Sequence, residues 1–443
     1  VCSSDLSTLV ADPIDHLAAA LPIKAKTSQG YWIRVWIPED AISGNYSSDV
    51  LIKNNHEVIG KLKLTVQVQQ RTLPQPDQWA FHLDLWQNPF AVARYHQVPL
   101  WSEEHFRILK TELQPYADAG GKVITVPIMH HPWGGQTYDP YETMITWVRK
   151  IDGSWWFDYT IFDKWVEFMI DMGIKKEIGC YSMIPWKLSF LYFDQATNSM
   201  KELKSKPGEQ AYHDLWLSML KDFAAHLKSK GWFDITHIAM DERPMPDMLK
   251  ALKIIREADP NFKVSLAGSL HKELSDELND YCIAIAEKFS EEMKTKRKAE
   301  GKITTYYTCC AESHPNTYTF SNPAEGAWIA WYAAKENLDG YLRWALNSWT
   351  IEPLLDSRFY TWGAGDTYLL YPGGRTCLRF ENLVAGIQAY EKIRILKTEL
   401  QTQNKTATLR KLERVLESFD ELQLLKTPAN VVVEKANLFI NGL

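Results

Sequence analysis

The feature that most constrains the fold is an alternation of short apolar strands with amphipathic helices, which begins near residue 79 and repeats eight times. This alternation is typical of a parallel sheet, because two parallel neighbours need a long crossover connection that a helix can supply. Eight strand–helix units predict an α/β fold, a (β/α)8 barrel of the TIM type. The predicted strands are 79–86, 122–129, 174–181, 235–241, 263–267, 281–285, 303–309 and 341–347.

Helices are predicted where apolar side chains recur every three or four residues. Seven of them belong to the barrel, at 102–118, 160–172, 211–229, 245–258, 285–300, 323–337 and 379–400. Beyond the barrel, residues 404–424 have the pattern of a charged amphipathic helix, and the apolar runs 431–433 and 438–440 predict a short β tail. The sequence therefore predicts a barrel domain at 76–402, followed by a C-terminal segment at 403–443.

A different pattern precedes the barrel. Residues 31–37, 50–52 and 61–68 alternate polar and apolar side chains with a period of two, which predicts antiparallel strands with one buried face. These strands are too few for a complete sandwich, so residues 1–75 are interpreted as the remnant of an N-terminal β-sandwich domain. Residues 1–6 can be back-translated as the end of a common sequencing adapter, and we therefore expect a chain truncated at its N-terminus.

Composition excludes some partners and favours another. The net charge of −6 is spread without long basic runs, which argues against nucleic acid, and no apolar run is long enough to predict a membrane span. Many of the 18 Trp, 20 Tyr and 17 Phe stand at loops or strand ends, where flat rings suit the apolar faces of sugars. The six cysteines lack metal-ligand spacing, so no metal is predicted, and Cys309 and Cys310 are interpreted as reduced thiols.

The stretch 235–244 places two adjacent acids, Asp241 and Glu242, at the end of the fourth predicted strand, with Pro244 opening the next helix. In a barrel of this type the active site lies at the C-terminal ends of the strands. The alternative interpretation is a helix cap, in which one acid accepts backbone N–H groups. The other strand ends, at 84–88, 130–135, 181–186, 306–310, 347–349 and 362–366, combine polar and aromatic side chains, as a sugar cleft requires.

Glycoside hydrolysis usually takes two carboxyl groups on either side of the scissile bond. Two interpretations remain open. In the first, Glu242 pairs with Glu312, the acid nearest the end of the seventh strand. In the second, both Asp241 and Glu242 act; adjacent residues cannot straddle a sugar, so the substrate's own 2-acetamido oxygen would be the nucleophile.

Several blocks of the sequence resemble glycoside hydrolase family 123, the β-N-acetylgalactosaminidases. The run HIAMDERP at 237–244 resembles its catalytic signature, and YYTCC at 306–310, PN at 315–316, GYLRWALNSW at 340–349, GD at 365–366 and YPG at 371–373 resemble its other blocks. The resemblance covers about residues 30–400. It implies an N-terminal β-sandwich before a barrel, and secretion to the periplasm, the cell surface or the medium of a bacterium.

The resemblance also implies chemistry: Asp241 orients and stabilises the acetamido group, and Glu242 is the general acid/base of a retaining, substrate-assisted mechanism without metal or cofactor. The implied substrate is a glycan or glycolipid that ends in N-acetylhexosamine, here β-linked N-acetylgalactosamine. By position alone, the candidates for substrate binding are His130, His131, Tyr181, Trp186, Tyr306, Tyr307, Asn347, Trp349 and Asp366. The alternatives are a two-carboxylate glycosidase acting on sugars without the acetamido group, and a non-catalytic glycan-binding protein.

Overall fold

The computed structural model describes residues 10–16 and 21–443. They group into two units, of which one contains the described residues up to Asp15 together with Pro76–Leu443, and the other is His16–Gln75. Residues 1–6, on which the expectation of a truncated start depends, lie outside the described residues, as does Cys2. None of the helices described is long and apolar enough to cross a membrane.

The smaller unit contains an antiparallel pair of strands, β1 (Gly44–Asn54) and β2 (Glu57–Val68). The strands predicted at 50–52 and 61–68 lie within this pair. The strand predicted at 31–37 is wrong: among the residues described, this stretch has no ladder partner, and Trp32 and Ile33 are exposed. Alternation of polar and apolar residues makes a strand only where a neighbouring strand accepts its hydrogen bonds.

The larger unit is built on a parallel sheet of eight strands in the spatial order β3-β14-β13-β12-β11-β10-β7-β4. The strands are β3 (His82–Leu85), β4 (Val123–Pro127), β7 (Glu177–Tyr181), β10 (Thr236–Met240), β11 (Lys263–Gly268), β12 (Asp280–Ala284), β13 (Ile303–Tyr307) and β14 (Gly340–Arg343). The two edge strands meet through a parallel bridge between Leu83 and Gly121, where Lys122 N donates to Leu83 O at 2.9 Å. The sheet is therefore a nearly closed barrel, and all eight predicted strands are confirmed.

Two loops on the C-terminal side of the barrel carry an additional sheet that the sequence did not predict. Its strands are β5 (Thr146–Arg149), β6 (Trp155–Asp158), β8 (Ser189–Asp194) and β9 (Ser199–Lys204), in the spatial order β6-β5-β8-β9. The first two follow β4 and the last two follow β7. This sheet therefore extends the protein beside the strand ends that would form an active site.

All seven barrel helices predicted from the sequence are present. The seven are α2 to α8 of the eleven helices among the described residues. These eleven are α1 (Pro89–His96), α2 (Glu103–Asp118), α3 (Thr160–Asp171), α4 (Gln210–Lys230), α5 (Met245–Ala258), α6 (Glu291–Ala299), α7 (Glu325–Glu336), α8 (Leu378–Thr402), α9 (Thr406–Leu416), α10 (Glu421–Leu424) and α11 (Ala429–Asn441), with short 3-10 turns at Pro76–Gln78, Phe233–Ile235 and Lys272–Leu274. Capping explains some of the boundaries. The helix predicted from residue 285 begins at Glu291 because Ser290 Oγ accepts a hydrogen bond from Met293 N at 3.2 Å.

The C-terminal segment differs from the expectation in two ways. The helix predicted at 404–424 is divided into α9 and α10. The predicted β tail is wrong, because both apolar runs lie in α11, which begins after Pro428. Val433, Ala436 and Ile440 of this helix are buried at the three- and four-residue spacing of one helical face. Tertiary packing of that face outweighs the strand preference of consecutive valines.

Candidate active site

Asp241 and Glu242 occupy the turn between β10 and α5. β10 ends at Met240, and Arg243 N donates to Asp241 O at 2.6 Å, which closes a tight turn directly after the strand. The residue at the N-cap of α5 is Pro244, and no side chain caps this helix. The interpretation of either acid as a helix cap is therefore wrong, and both side chains are available at the C-terminal end of the barrel.

Asp241 is a buried carboxylate with two partners. It is 5% exposed, its Oδ2 accepts a hydrogen bond from Trp186 Nε1 at 2.8 Å, and its Oδ1 lies 3.2 Å from Arg243 Nε. The Arg243 guanidinium also stacks over the Trp186 ring, 4.4 Å from its centroid. Burial raises the pKa of Asp241 to about 6, against the opposing effects of Arg243 and the hydrogen bond from Trp186.

Glu242 has a different environment although it is the next residue. Its side chain is exposed to the cleft, and its Oε1 accepts a hydrogen bond from the Tyr307 hydroxyl at 2.5 Å. Burial, followed by this hydrogen bond, raises the pKa of Tyr307 well above its ordinary value, so the phenol remains a donor. One acid is thus enclosed and ion-paired, whereas the other is open to solvent and held at one oxygen.

The two acids face a cleft of about 700 Å³, open solvent included, which is a size typical of small-molecule sites. Its walls are mainly aromatic. Trp86 and Trp133 are stacked with their centroids 4.6 Å apart, and Trp344 and Trp362 meet edge to face at 5.9 Å. The lining residues are Trp86, Trp133, Gln136, Trp186, Asp241, Glu242, Ala267, Tyr307, Cys309, Cys310, Leu342, Trp344, Trp362 and Asp366.

Asp366 is the third carboxylate of the cleft wall, and its contacts point to a structural role. It is fully buried, and its Oδ1 accepts hydrogen bonds from Arg343 Nη2 at 2.6 Å and Trp344 Nε1 at 3.1 Å. Burial raises the pKa of Asp366, and Arg343 opposes that effect. The pair fixes the orientation of the Trp344 ring in the cleft.

Among the nine residues predicted to bind substrate, Trp186, Tyr307 and Asp366 line the cleft with the two acids. Tyr181 lies behind the wall, with its ring centroid 4.6 Å from that of Trp86. Tyr306 points away from the cleft, because successive strand residues face opposite sides of the sheet, and its hydroxyl donates to Ile329 O in α7 at 2.8 Å.

Asn347 and Trp349 are buried and hold loops together outside the lining of the cleft. Asn347 Oδ1 accepts from Asn88 N at 2.8 Å, and Trp349 Nε1 donates to Leu370 O at 2.7 Å. The two predicted histidines also lie outside the lining. His130 Nδ1 contacts the carboxylate of Glu142, and His131 Nε2 lies 3.3 Å from the same carboxylate.

Several lining residues were missed by sequence reasoning. Trp344 is half-buried and directly follows β14, a strand-end position that would have identified it. Trp133 and Trp362 lie within the strand ends 130–135 and 362–366, but neither was among the predicted binding residues. Glu312, the alternative nucleophile, is absent from the lining, and its Oε2 accepts a hydrogen bond from Cys309 N at 2.8 Å.

Two groups of side chains among the residues described have metal-ligand chemistry. One consists of His130, His131 and Glu142, and the other of His82, Glu177 and Asp280. The second group is buried at the N-terminal ends of β3, β7 and β12, the end of the barrel opposite to the candidate site. Neither group lines the cleft, so no step at Asp241 or Glu242 is assigned to a metal.

Comparisons with known proteins agree with this geometry. A family model described as "Glycoside hydrolase 123, catalytic domain" matches residues 86–396, and one described as "Glycoside hydrolase 123 N-terminal domain" matches residues 3–54. No curated protein matches the chain. A solved structure of a family 123 glycoside hydrolase from Clostridium perfringens, determined to study glycolipid glycan hydrolysis, is similar over 91% of this chain and 77% of that one, with 28% identity and a TM-score of 0.83. The resemblance found in the sequence is confirmed, and the chain belongs to glycoside hydrolase family 123.

Proposed function

We propose that this chain is a retaining exo-β-N-acetylgalactosaminidase that releases terminal β-linked N-acetylgalactosamine from glycans or glycolipids. The observation that carries the proposal is the contrast between Asp241, which is buried and ion-paired, and Glu242, which is open to the cleft. The remaining carboxylate of the wall, Asp366, is buried against Arg343. This arrangement favours a mechanism in which the substrate supplies the nucleophile.

In the first step, the carboxylate of Asp241 accepts a hydrogen bond from the acetamido N–H and stabilises the positive charge that develops on that group. The acetamido oxygen attacks C1 while Glu242 donates its proton to the glycosidic oxygen, and the bond between C1 and that oxygen breaks. The products are an oxazolinium ion in the cleft and the released alcohol. A buried carboxylate suits this role because a fixed charge in a water-poor site stabilises developing positive charge strongly.

In the second step, the carboxylate of Glu242 removes a proton from a water molecule that attacks C1. The bond between C1 and the acetamido oxygen breaks, its electron pair returns to the acetamido group, and Glu242 is again protonated. Two inversions at C1 give net retention. The hydrogen bond from Tyr307 leaves the second oxygen of Glu242 free for both proton transfers.

Substrate class follows from the walls and from the relative. Tryptophan faces along the cleft suit the apolar face of a galactose-type ring, and the related Clostridium perfringens enzyme was studied for glycolipid glycan hydrolysis. We extend that substrate class to this chain as part of the proposal.

The test is a panel of aryl glycosides, β-linked N-acetylgalactosaminide, N-acetylglucosaminide and galactoside, assayed with wild type, Glu242→Gln and Asp241→Asn. We expect hydrolysis of the N-acetylgalactosaminide, a loss of about 10²–10⁴-fold in Glu242→Gln that is smaller with activated leaving groups, and a loss on every N-acetyl substrate in Asp241→Asn. A thiazoline analogue of the intermediate should inhibit the wild type.

Two outcomes would contradict the proposal. Activity on the plain galactoside that disappears in Glu312→Ala would assign a two-carboxylate mechanism. Binding of N-acetylgalactosamine without hydrolysis of any member of the panel would assign a glycan-binding protein.

A further inference from the structure

We infer that the loop after β14 docks the enzyme on a lipid bilayer that displays its glycolipid substrate; this inference rests on the proposed function. The loop, residues 350–361, is called the rim loop below. It holds four large apolar or aromatic side chains in water: Ile351 is 63% exposed, Leu354 42%, Leu355 80% and Tyr360 87%. A patch of this kind beside a binding cleft is typical of a surface that is covered when the protein acts.

The rim loop is held in one conformation by hydrogen bonds between its own residues. Thr350 Oγ1 donates to Asp356 O at 2.7 Å, and Leu355 N donates to Glu352 O at 2.9 Å. Further anchors come from outside the loop, since the buried Tyr368 hydroxyl donates to Pro353 O at 2.8 Å. These bonds fix the backbone of the rim loop in a conformation that keeps its apolar side chains in water.

The C-terminal end of the rim loop adjoins the cleft. Trp362, which lines the cleft, forms a bridge with Phe359, and its N donates to Phe359 O at 3.0 Å. On the other side of the loop, the half-exposed ring of Tyr138 meets Phe359 at 6.3 Å. A glycolipid whose sugar is bound against Trp362 would thus have its lipid-bearing end beside an apolar surface. A water-soluble glycan would leave that surface exposed to water.

The charges of the rim loop identify the kind of lipid surface. It contains one cation, Arg358, which lies 2.5 Å from Asp356, and one further acid, Glu352. A loop with two carboxylates and one paired cation gains nothing from anionic headgroups, which attract clusters of Lys and Arg. The rim loop therefore fits a neutral or zwitterionic bilayer, into which Leu and Ile insert and at whose interface Tyr is favoured.

The experiment compares wild type, the double variant Leu355→Asp/Tyr360→Asp and a control, Leu422→Asp/Leu425→Asp, which adds the same two charges at leucines of the C-terminal segment that are 69% and 67% exposed. Each protein is floated with phosphatidylcholine vesicles and assayed on a vesicle-borne glycolipid ending in β-N-acetylgalactosamine and on the soluble aryl glycoside. We expect the double variant to lose vesicle binding and at least about 10-fold in kcat/KM on the glycolipid, with unchanged aryl activity. The control should match wild type throughout.

Each result decides between the two proposals. Equal flotation and equal glycolipid activity in wild type and double variant would overturn the docking role while leaving the glycosidase intact. Binding that requires anionic lipid would also overturn it. Wild type that floats on phosphatidylcholine but hydrolyses neither substrate would refute the proposed function and leave the docking surface supported. Wild type that hydrolyses both substrates without floating would refute the docking surface and leave the proposed function supported.

Discussion

At the scale of single residues, Asp241 is a carboxylate whose ionisation costs the folded protein free energy. Burial raises its pKa to about 6, while the hydrogen bond from Trp186 and the charge of Arg243 recover only part of the hydration it has lost. The proposed mechanism needs this carboxylate ionised. Stability and activity therefore make opposite demands on the same side chain, as is common in active sites.

The first prediction concerns the stability of Asp241→Asn. Because the folded-state pKa is raised, the contribution of Asp241 to stability is fully present below its unfolded pKa near 4 and is lost as the pH rises through 6. Asparagine does not ionise, so the variant avoids this loss of stability. The variant should exceed wild type in free energy of unfolding by about 3 kcal/mol above pH 7, and the difference should shrink towards pH 4. Urea unfolding at both pH values measures it.

The control is Asp234→Asn, which removes a carboxylate from an exposed position of the same barrel unit. It should have a small effect at either pH. Wild type that is more stable than Asp241→Asn at neutral pH would contradict the argument, because it would mean that the partners of Asp241 outweigh its desolvation.

The second prediction separates two neighbouring tyrosines. Tyr307→Phe removes the hydroxyl that fixes Glu242 and should lower kcat on substrates with poor leaving groups by about 10-fold to 100-fold, since an exposed glutamate without this bond samples unproductive positions. Tyr306→Phe is the matched control, because its hydroxyl bonds Ile329 O outside the cleft and its loss should affect stability alone. Steady-state kinetics on an alkyl glycoside measures both, and equal losses in the two variants would contradict the role of Tyr307.

The same pair shows what the sequence could not decide. Residues on both faces of a barrel strand are buried, so hydrophobicity does not reveal which of two consecutive tyrosines faces the inside. Asp241 and Glu242 could be placed at a strand end because strand, acids and Pro244 are consecutive in the chain. Which acid is buried depends on Trp186, from the loop after β7, and on Tyr307, from β13.

At the scale of elements, β14 and β3 approach more closely than any side chain would allow. A Cβ atom at Gly340, the first residue of β14, would lie 1.9 Å from His82 O and 2.7 Å from His82 N. Both atoms belong to the backbone of β3, so rotation of a side chain cannot relieve the clash. Glycine at this position is a condition of the pairing between the two strands.

The third prediction is that Gly340→Ala lowers the free energy of unfolding by about 3 kcal/mol or more, because β14 and β3 must move apart to accommodate the methyl group. Gly135→Ala is a suitable control in the same unit, since a Cβ there has nothing within 4 Å. Thermal unfolding of both variants measures the difference. A small effect in Gly340→Ala would mean that β14 and β3 can shift apart without loss.

Elements differ in how far their sequences determine them. The barrel strands were identified because they are short apolar runs, most of which are followed by an amphipathic helix. The strands β5, β6, β8 and β9 lie between a barrel strand and the helix that follows it, so the alternation of strand and helix does not indicate them. α11 was misread because its valines favour strands individually, while the face that they bury is decided by contact with the rest of the fold.

At the scale of the whole molecule, the cleft collects residues that are distant in the chain. Trp86 follows β3, Trp186 follows β7 and Trp344 follows β14, so the site exists only when the barrel is assembled. The sequence could order the strands and identify their ends. It could not select which aromatic side chains enter the cleft, because this depends on long loops such as the one from which Trp362 reaches Gln136 O at 3.1 Å.

The pairing of β3 with β14 has a consequence for how the chain is made. During synthesis on the ribosome, β7, β10, β11, β12 and β13 can each join the preceding strand as they emerge, starting from β4, since this is their order in both chain and sheet. β3 is made first, yet its ladder partner begins only at Gly340. A nascent chain that stops short of that residue can hold Asp241 and Glu242 at the end of β10 but lacks the Trp344 wall and a closed sheet. The first barrel strand to leave the ribosome is thus the last to gain its ladder partner, and the cleft around the two acids is complete only after that pairing.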